Sequence, residues 1–328
     1  MPRPDLALLR LRGEDRLRFL NGQITCQVAN LIPGDGVYGY FVTLKGRVEA
    51  DCMVLAAEDA VFLVLPAAAR DGIAERLRKY VVVDRVEIEA IETVATTLVG
   101  HDLRPVVTEL LGEPPAESPW SHSAARLAGA EVPVRAVRHA DRPRPATGDP
   151  LQLVTLWLAT DADARLRTAL DALAVEALDE ATWTALRVEL GLPLHGRDIG
   201  LDHFPHEVAD EETLATAIDY TKGCYLGQEV VARIHYRGGV QRRLVGVRLD
   251  VAEADAALDP ARLEGTDLLA GGRAVATLGS VARAPHLGLI GLAVAHRRAE
   301  DGSRVDGAPD DESRPARGEL VALPFSLD

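Results

Sequence analysis

Residues 220–250, YTKGCYLGQEVVARIHYRGGVQRRLVGVRLD, concentrate the side chains best suited to chemistry. Cys224 is a soft nucleophile once deprotonated, and cations or a helix N-terminus favour its thiolate. Lys222 precedes it by two positions, and Gly223 and Gly227 flank the run Cys224, Tyr225, Leu226. Glycines so placed permit a tight turn and close approach of backbone to a ligand. The plainer alternative is a small buried thiol. From Gln228 the pattern becomes helical, with Val230, Val231 and Ile234 on the inner side. Glu229, Arg233 and Arg237 then fall at i, i+4 and i+8 on one face. Such a face is either functional or a Glu–Arg ladder, and a ladder contributes only ~0.3–0.5 kcal/mol per pair. Gly238 and Gly239 end this helix.

Charge singles out the same stretch. Between Lys222 and Arg248 the cations are Lys222, Arg233, Arg237, Arg242, Arg243 and Arg248, against the single anion Glu229, a local charge of +5. The chain as a whole holds 36 Lys and Arg against 50 Asp and Glu, a net charge of −14, so the remainder carries −19. A local anion site fits this distribution, as does a solvated basic face. Broad nucleic-acid coating does not, because the affinity of such proteins rests on neutralising many phosphates.

Two further segments hold candidate carboxylates. In WTALRVELGLPLHGRDIGLDHF, residues 183–204, Arg187 and Glu189 lie late in a helix that turns at Gly191, Pro193 and Gly196. Glu189 sits among Leu190 and Leu192. A carboxylate there can accept two N–H groups from a heterocycle of amidine-like geometry, such as a pterin. The alternatives are a surface helix residue or a partner for Arg187. In YGYFVTLKGRVEAD, residues 38–51, Lys45–Gly46–Arg47 predicts a hairpin turn and Asp51 falls inside a strand, where aspartate is disfavoured. Facing inward, Asp51 needs a partner or a ligand; facing outward, it is unremarkable.

Other chemistries lack their signatures. There is no G-x-G-x-x-G after a strand, no G-x-x-x-x-G-K-[ST], no H-E-x-x-H and no G-x-S-x-G. The nine histidines show no helical metal-ligand spacing, and His203 with His206 is a weak signal alone. Three cysteines, Cys26, Cys52 and Cys224, with no C-x-x-C, predict reduced thiols and a cytoplasmic protein. No apolar run approaches the ~18 residues of a membrane span, and the first residues lack the apolar core of a signal peptide.

The elements that position these segments follow from periodicity. A chain of 328 residues suggests two or three domains. Strands are predicted at 6–11, 37–43, 48–56 and 61–65. Helices are predicted at 14–20 and 67–80, the latter with Ile73, Leu77 and Tyr80 on one stripe. Proline-rich loops at 112–121 and 139–150 frame a strand at 132–137, and 151–158 is a strongly apolar strand. A helix runs from Asp161 to about Val175. Another, capped by Asp179 or Thr182, runs to Leu190, with Gly191 as its stop. Short apolar runs at 244–249, 273–278 and 287–294 predict a small antiparallel β domain. Residues 300–318 read as a solvated loop before a last apolar run at 319–324.

KGCYLGQE, then VVAR, then RGGVQRRL resembles the signature of the YgfZ family, folate-binding proteins related to the aminomethyltransferase (T-protein) of the glycine cleavage system. LRVELGLPLHGRDI resembles the L-R-x-E-x-G-x-x-x-x-G-x-D-I stretch of those aminomethyltransferases, and RLRFLNGQITCQVANL, KGRVEAD and GGVQRRLVGV fit the same pattern. The resemblance spans nearly the whole chain. It implies an α+β, aminomethyltransferase-like folate-binding fold of three lobes around a central channel, the last a small β-barrel. Residues 1–240 would form the folate-binding region of two α+β lobes, and 241–328 the barrel.

For the site, the resemblance implies tetrahydrofolate or a one-carbon derivative as cofactor. Glu189 would bind the pterin, with Arg187 beside it, and Gln241, Arg242 or Arg243 would lie near the folate. Cys224 and Asp51 would be the reactive groups, within a motif of Lys222, Gly223, Tyr225, Gly227, Gln228, Glu229 and Arg233. Aminomethyltransferases carry paired aspartates where this chain reads Ala50–Asp51, which leans against aminomethyl transfer. The leading expectation is therefore a tetrahydrofolate-binding protein that supports iron–sulfur cluster assembly or repair and, through iron–sulfur enzymes, tRNA modification. Its partners would be iron–sulfur client or assembly proteins. The alternatives are a folate-dependent aminomethyltransferase and a direct tRNA-binding module.

Overall fold

The computed structural model describes residues 1–128, 132–143, 149–250, 259–307 and 317–326. Two compact units emerge. One comprises Met1–Arg142, Pro150–Ala177 and Glu211–Ala232; the other comprises Pro143–Asp149, Leu178–Asp210 and Arg233–Asp328.

The elements of the first part of the chain are β1 (Leu6–Arg12), α1 (Arg16–Asn21), β2 (Gly36–Val42), β3 (Val48–Ala56), β4 (Ala60–Pro66), α2 (Arg70–Tyr80), β5 (Glu87–Ile91), β6 (Thr93–Gly100), α3 (Arg104–Leu111), β7 (His122–Arg126), β8 (Pro133–Arg138), β9 (Arg142–Pro143), β10 (Pro150–Ala159) and α4 (Asp163–Ala172). An antiparallel sheet of order β2-β3-β4-β1-β5 and a second of order β6-β10-β8-β7 make up the first unit. The two-residue period of a strand sends alternate side chains to opposite faces. On the first sheet Leu9, Leu11, Ala50, Cys52, Val54, Leu63 and Leu65 bury one face against Phe19 and Leu20 of α1 and Ile73, Ala74 and Leu77 of α2. Leu8, Met53, Leu55 and Val64 bury the other against Ala95, Val137 and Trp157 of the second sheet. That sheet's far face packs Val134, Val154, Leu156 and Leu158 on Val107 and Leu110 of α3 and Leu166 of α4. The unit is thus layered helix, sheet, sheet, helix.

Two of this unit's histidines, His122 and His139, are shielded from water. His122 places Nε2 2.8 Å from the Ala56 carbonyl and Nδ1 2.7 Å from the Arg135 guanidinium. The geometry selects the neutral ring, donating through Nε2 and accepting through Nδ1. Burial, then the Arg135 charge, lowers His122 from 6.5 to about 4. His139 bonds through Nε2 to the Thr155 hydroxyl at 2.8 Å, and burial lowers it to about 3. Above pH 6.5 both rings are neutral, folded or unfolded. Below it the unfolded chain takes up protons that the folded chain refuses, so stability falls as pH drops from 6.5 toward 4 and 3. Each pH unit of separation is worth about 1.4 kcal/mol. Urea midpoints measured across this range should therefore decline by several kcal/mol in stability, and His139→Gln should flatten the decline.

The remaining elements are α5 (Glu180–Glu189), α6 (Pro205–Val208), α7 (Glu211–Ala217), α8 (Gln228–Arg237), β11 (Arg242–Asp250), β12 (Asp267–Ala270), β13 (Arg273–Ala284), β14 (Gly288–His296), β15 (Arg304–Gly307) and β16 (Arg317–Val321). In the second unit β11-β14-β13-β12-β15-β16 close into a barrel, which removes every sheet edge. Val245, Val247, Leu268, Leu278, Ala293 and Leu320 fill it. Ala185 and Val188 of α5 pack outside on Ala282, Ala284, Ile290, Leu292 and Phe325.

The structure revises several expectations. Tyr80 leaves the buried stripe of Ile73 and Leu77 and is 42% exposed, because the helix ends there. The helix predicted from Asp161 opens as a 3-10 turn at Thr160–Ala162 before α4. Strands β5, β6, β7, β9, β12 and β15 and helices α3, α6 and α7 were not predicted; β9 and β15 fall within stretches expected to be loops, because barrel and sheet pairing supplies partners that the aperiodic residues do not announce. Of the loops at 139–150 and 300–318, residues 144–148 and 308–316 lie outside the described residues. No helix among the described residues is long and apolar enough to cross a membrane.

Candidate functional site

In the first unit the KGCYLGQE segment packs on two other pieces of chain. Lys222 is 7% exposed. Its ammonium donates to the Ile24 carbonyl at 2.7 Å, to the Cys26 carbonyl and to Asn21 Oδ1 at 3.3 Å, and lies 5.1 Å from the centre of the Tyr225 ring. Three donors meet three acceptors, so the side chain pins the loop after α1. Burial lowers it to about 8. Its charge faces these three oxygens inside the unit.

Gly227 has φ +82°, and a Cβ there would lie 2.4 Å from the Thr43 carbonyl oxygen. Its close approach is to the β2–β3 hairpin. That hairpin turns at Gly46, as expected, with φ +72° and Val230 against it. Gly223 meets no such constraint: open space surrounds the position of its missing Cβ. Cys26 and Cys52 are buried, and burial pushes Cys26 up to about 12, whereas Cys224 is exposed. The accessible thiol is therefore the one within the motif. Tyr225 is buried. Gln228 opens α8 half-buried, its N–H donated to the Tyr225 carbonyl at 3.2 Å. On α8 only Val231 is fully buried, and Glu229, Arg233 and Arg237 are exposed.

Asp51 faces the same side of the first sheet as its cross-strand partner Tyr40. The Tyr38 hydroxyl donates to Asp51 Oδ2 at 3.1 Å. Burial, then the Asp51 carboxylate, holds the phenol well above its ordinary 10, so it remains a donor.

In the second unit, α5 starts at Asp179, whose Oδ1 accepts from the Thr182 N–H at 2.7 Å. It stops in a paired turn: Leu192 N–H bonds to Arg187 O and Gly191 N–H to Val188 O, with Gly191 at φ +68°. Arg187 and Glu189, two positions apart on a helix, leave it in different directions. Arg187 donates to Asp198 Oδ2 at 2.8 Å, to Leu192 O at 2.7 Å and to Ser280 Oγ. Asp198 further accepts from the N–H groups of Leu194 (2.7 Å) and Ser280 (2.6 Å) and from Ser280 Oγ (2.9 Å). Gly279 leaves the room: a Cβ there would lie 2.3 Å from Asp198 Oδ1. Arg187 is thus committed to a buried ion pair joining the end of α5 to the barrel. Asp198 and Ser280 had not been singled out; the D of GRDI was the only trace of the first. Glu189 is itself buried, 6% exposed.

The barrel cations are likewise engaged. Arg242 grips Glu207 with Nε at 3.2 Å and a second nitrogen at 3.0 Å, and also bonds Asp202 O. Arg243 pairs with Asp301 at 2.6 Å and bonds Ala299 O. Gln241 is exposed, its carbonyl accepting from Arg297. The basic run is therefore mostly consumed by internal partners. No group of His, Cys, Asp and Glu capable of holding a metal occurs among the described residues, His203 and His206 included.

Comparison with known proteins follows the same lines. Residues 5–140 match the GCVT N-terminal domain. The tRNA-modifying protein YgfZ of Klebsiella pneumoniae (strain 342) is 30% identical over 245 residues, 73% of this chain and 68% of that one. The protein of the same name from Sodalis glossinidius (strain morsitans) is 28% identical over 263 residues, 79% of this chain and 74% of that one. The crystal structure of glycine cleavage system aminomethyltransferase T from Bartonella henselae superposes with a TM-score of 0.78 at 18% identity, over 99% of this chain and 85% of that chain. The fold is the α+β aminomethyltransferase type ending in a small β-barrel.

Proposed function

The chain belongs to the YgfZ family, and from that premise we propose that it binds tetrahydrofolate or a one-carbon derivative and supports iron–sulfur cluster assembly or repair. tRNA modification would depend on it through iron–sulfur enzymes, in keeping with the name its relatives carry. A cytoplasmic location and iron–sulfur client or assembly proteins as partners belong to the same proposal.

The observation that carries the folate reading is the state of the LRVELG…GRDI motif. Arg187, Asp198 and Ser280 bond one another and fix the end of α5, and Glu189 lies buried at that end. A buried carboxylate on a fixed helix end suits the paired N–H donors of a pterin edge. In this reading Arg187 positions the helix end. Arg242 and Arg243 would contact folate, or tRNA phosphates, from guanidinium groups already paired with Glu207 and Asp301. Asp51 supplies a carboxylate to the reduced ring. Cys224, the exposed thiol of the motif, meets a client or takes part in transfer. Aminomethyl transfer remains disfavoured by Ala50.

The cellular test is complementation. A strain lacking this protein should lose activity of iron–sulfur enzymes under oxidative stress, the intact chain should restore it, and Cys224→Ala should not. Normal enzyme activity in the deletion strain would reject the iron–sulfur role. Full rescue by Cys224→Ala would remove the thiol from it.

A further inference from the structure

Beside Asp51 the first unit carries an aromatic arrangement that packing alone does not require. Tyr38 and Tyr40 share a face of β2. Trp120 stacks on Tyr38, with centroids 5.2 Å apart and planes at 20°, and Tyr40 meets it edge-on at 5.4 Å and 77°. His139 meets Trp120 edge-on at 5.6 Å.

Trp120 reaches this place at a cost. Its φ is +65°, a left-handed conformation unfavourable for a bulky side chain. The backbone fixes it there: its N–H bonds to Arg138 O at 2.6 Å. Its carbonyl would lie 2.0 Å from a Cβ on Gly36, so only glycine fits at that strand position. A strained tryptophan and an obligatory glycine together seat one indole over one phenol, and that phenol donates to Asp51 at 3.1 Å.

We propose that Tyr38, clamped between Trp120 and Tyr40, is a positioning residue for Asp51, holding the carboxylate ionised and in one orientation for the bound reduced folate. The proposal rests on the folate reading above. A hydrogen bond to the charged form favours that form, and a phenol kept protonated by burial can give one throughout the ordinary pH range. Among the described residues, the titratable groups around this site include Tyr40, on the same face, Cys52, on the opposite face of β3, and His139, against Trp120.

The test separates this inference from the folate reading. Asp51 is titrated by carboxyl 13C NMR in the ligand-free chain, its signal assigned by loss in Asp51→Asn, and tetrahydrofolate affinity is measured by calorimetry. Tyr38→Phe keeps the ring and removes only the hydroxyl. It should raise the Asp51 midpoint by about one pH unit and weaken folate binding by about tenfold, as loss of one charge-assisted bond implies. In an Asp51→Asn background Tyr38→Phe should have no further effect on affinity. Trp120→Phe, which thins the stack and leaves the hydroxyl, should raise the midpoint by less. An unchanged midpoint in Tyr38→Phe overturns the proposal, as does an unchanged affinity when Asp51→Asn binds poorly. Failure of the wild-type chain to bind any reduced folate overturns the folate reading, and the NMR midpoint then decides alone whether Tyr38 controls Asp51.

Discussion

Glu189→Gln should weaken tetrahydrofolate binding by ten- to a hundredfold, a larger effect than its effect on melting temperature. The substitution keeps the volume and shape of the side chain. It exchanges a carboxylate that accepts two N–H bonds for an amide that accepts one and opposes the second with its own N–H. Hydrogen bonds to a charged group contribute about 1.5–3 kcal/mol, and the buried setting of Glu189 shields the interaction from water. Calorimetric titration of both chains against tetrahydrofolate measures the difference. Equal affinity would remove Glu189 from the site. A large fall in melting temperature would instead assign its carboxylate to the fold.

Asp198→Asn should do the reverse and act mainly on stability. Asp198 is buried, with its side chain 1% exposed, and its carboxylate serves Arg187, Ser280 and the Leu194 N–H. Removing its charge takes from the buried Arg187 guanidinium the carboxylate it bonds directly, a change that costs about 3–5 kcal/mol. Thermal unfolding followed by calorimetry should show a transition lowered by roughly 10 °C, taking about 2–4 °C per kcal/mol for a domain of this size. Arg187→Met restores an uncharged side chain of similar length, so the double variant should recover part of the loss. A melting temperature within one or two degrees of wild type for Asp198→Asn would show that the pair does not secure the end of α5.

Legibility differed sharply along the chain. Strands with clean alternation were readable: β3 runs from Val48 to Ala56 as its residues predict, and the tail runs became the barrel strands β11, β13 and β14. The cap at Asp179 and the glycine stop at Gly191 follow from side-chain and backbone chemistry that is local to those residues. Elements without an apolar period were hidden. Strand β5, EIEAI, is an acidic sheet edge, β6 is threonine-rich, and α3 opens Arg-Pro, which reads as a breaker although proline is tolerated in a first turn.

The site divides in the same way. Residue types drew attention to Cys224, Glu189 and Asp51 as candidates, because a thiol and carboxylates are recognisable wherever they fall. The partners of the cations were not recognisable, since Glu207, Asp301 and Asp198 become neighbours of Arg242, Arg243 and Arg187 only once the chain has folded. For the same reason a local charge of +5 overstated the free positive surface. Tyr38 and Trp120 were invisible as a pair because 82 residues separate them and nothing but the two-sheet packing brings them together.

The central claim is that this chain binds a reduced folate. Calorimetric titration of the intact chain with tetrahydrofolate tests it most directly. Saturable heat at one site per chain, with a matching rise in melting temperature, is the predicted result. Absence of both heat and thermal shift with tetrahydrofolate and its one-carbon derivatives would contradict the account.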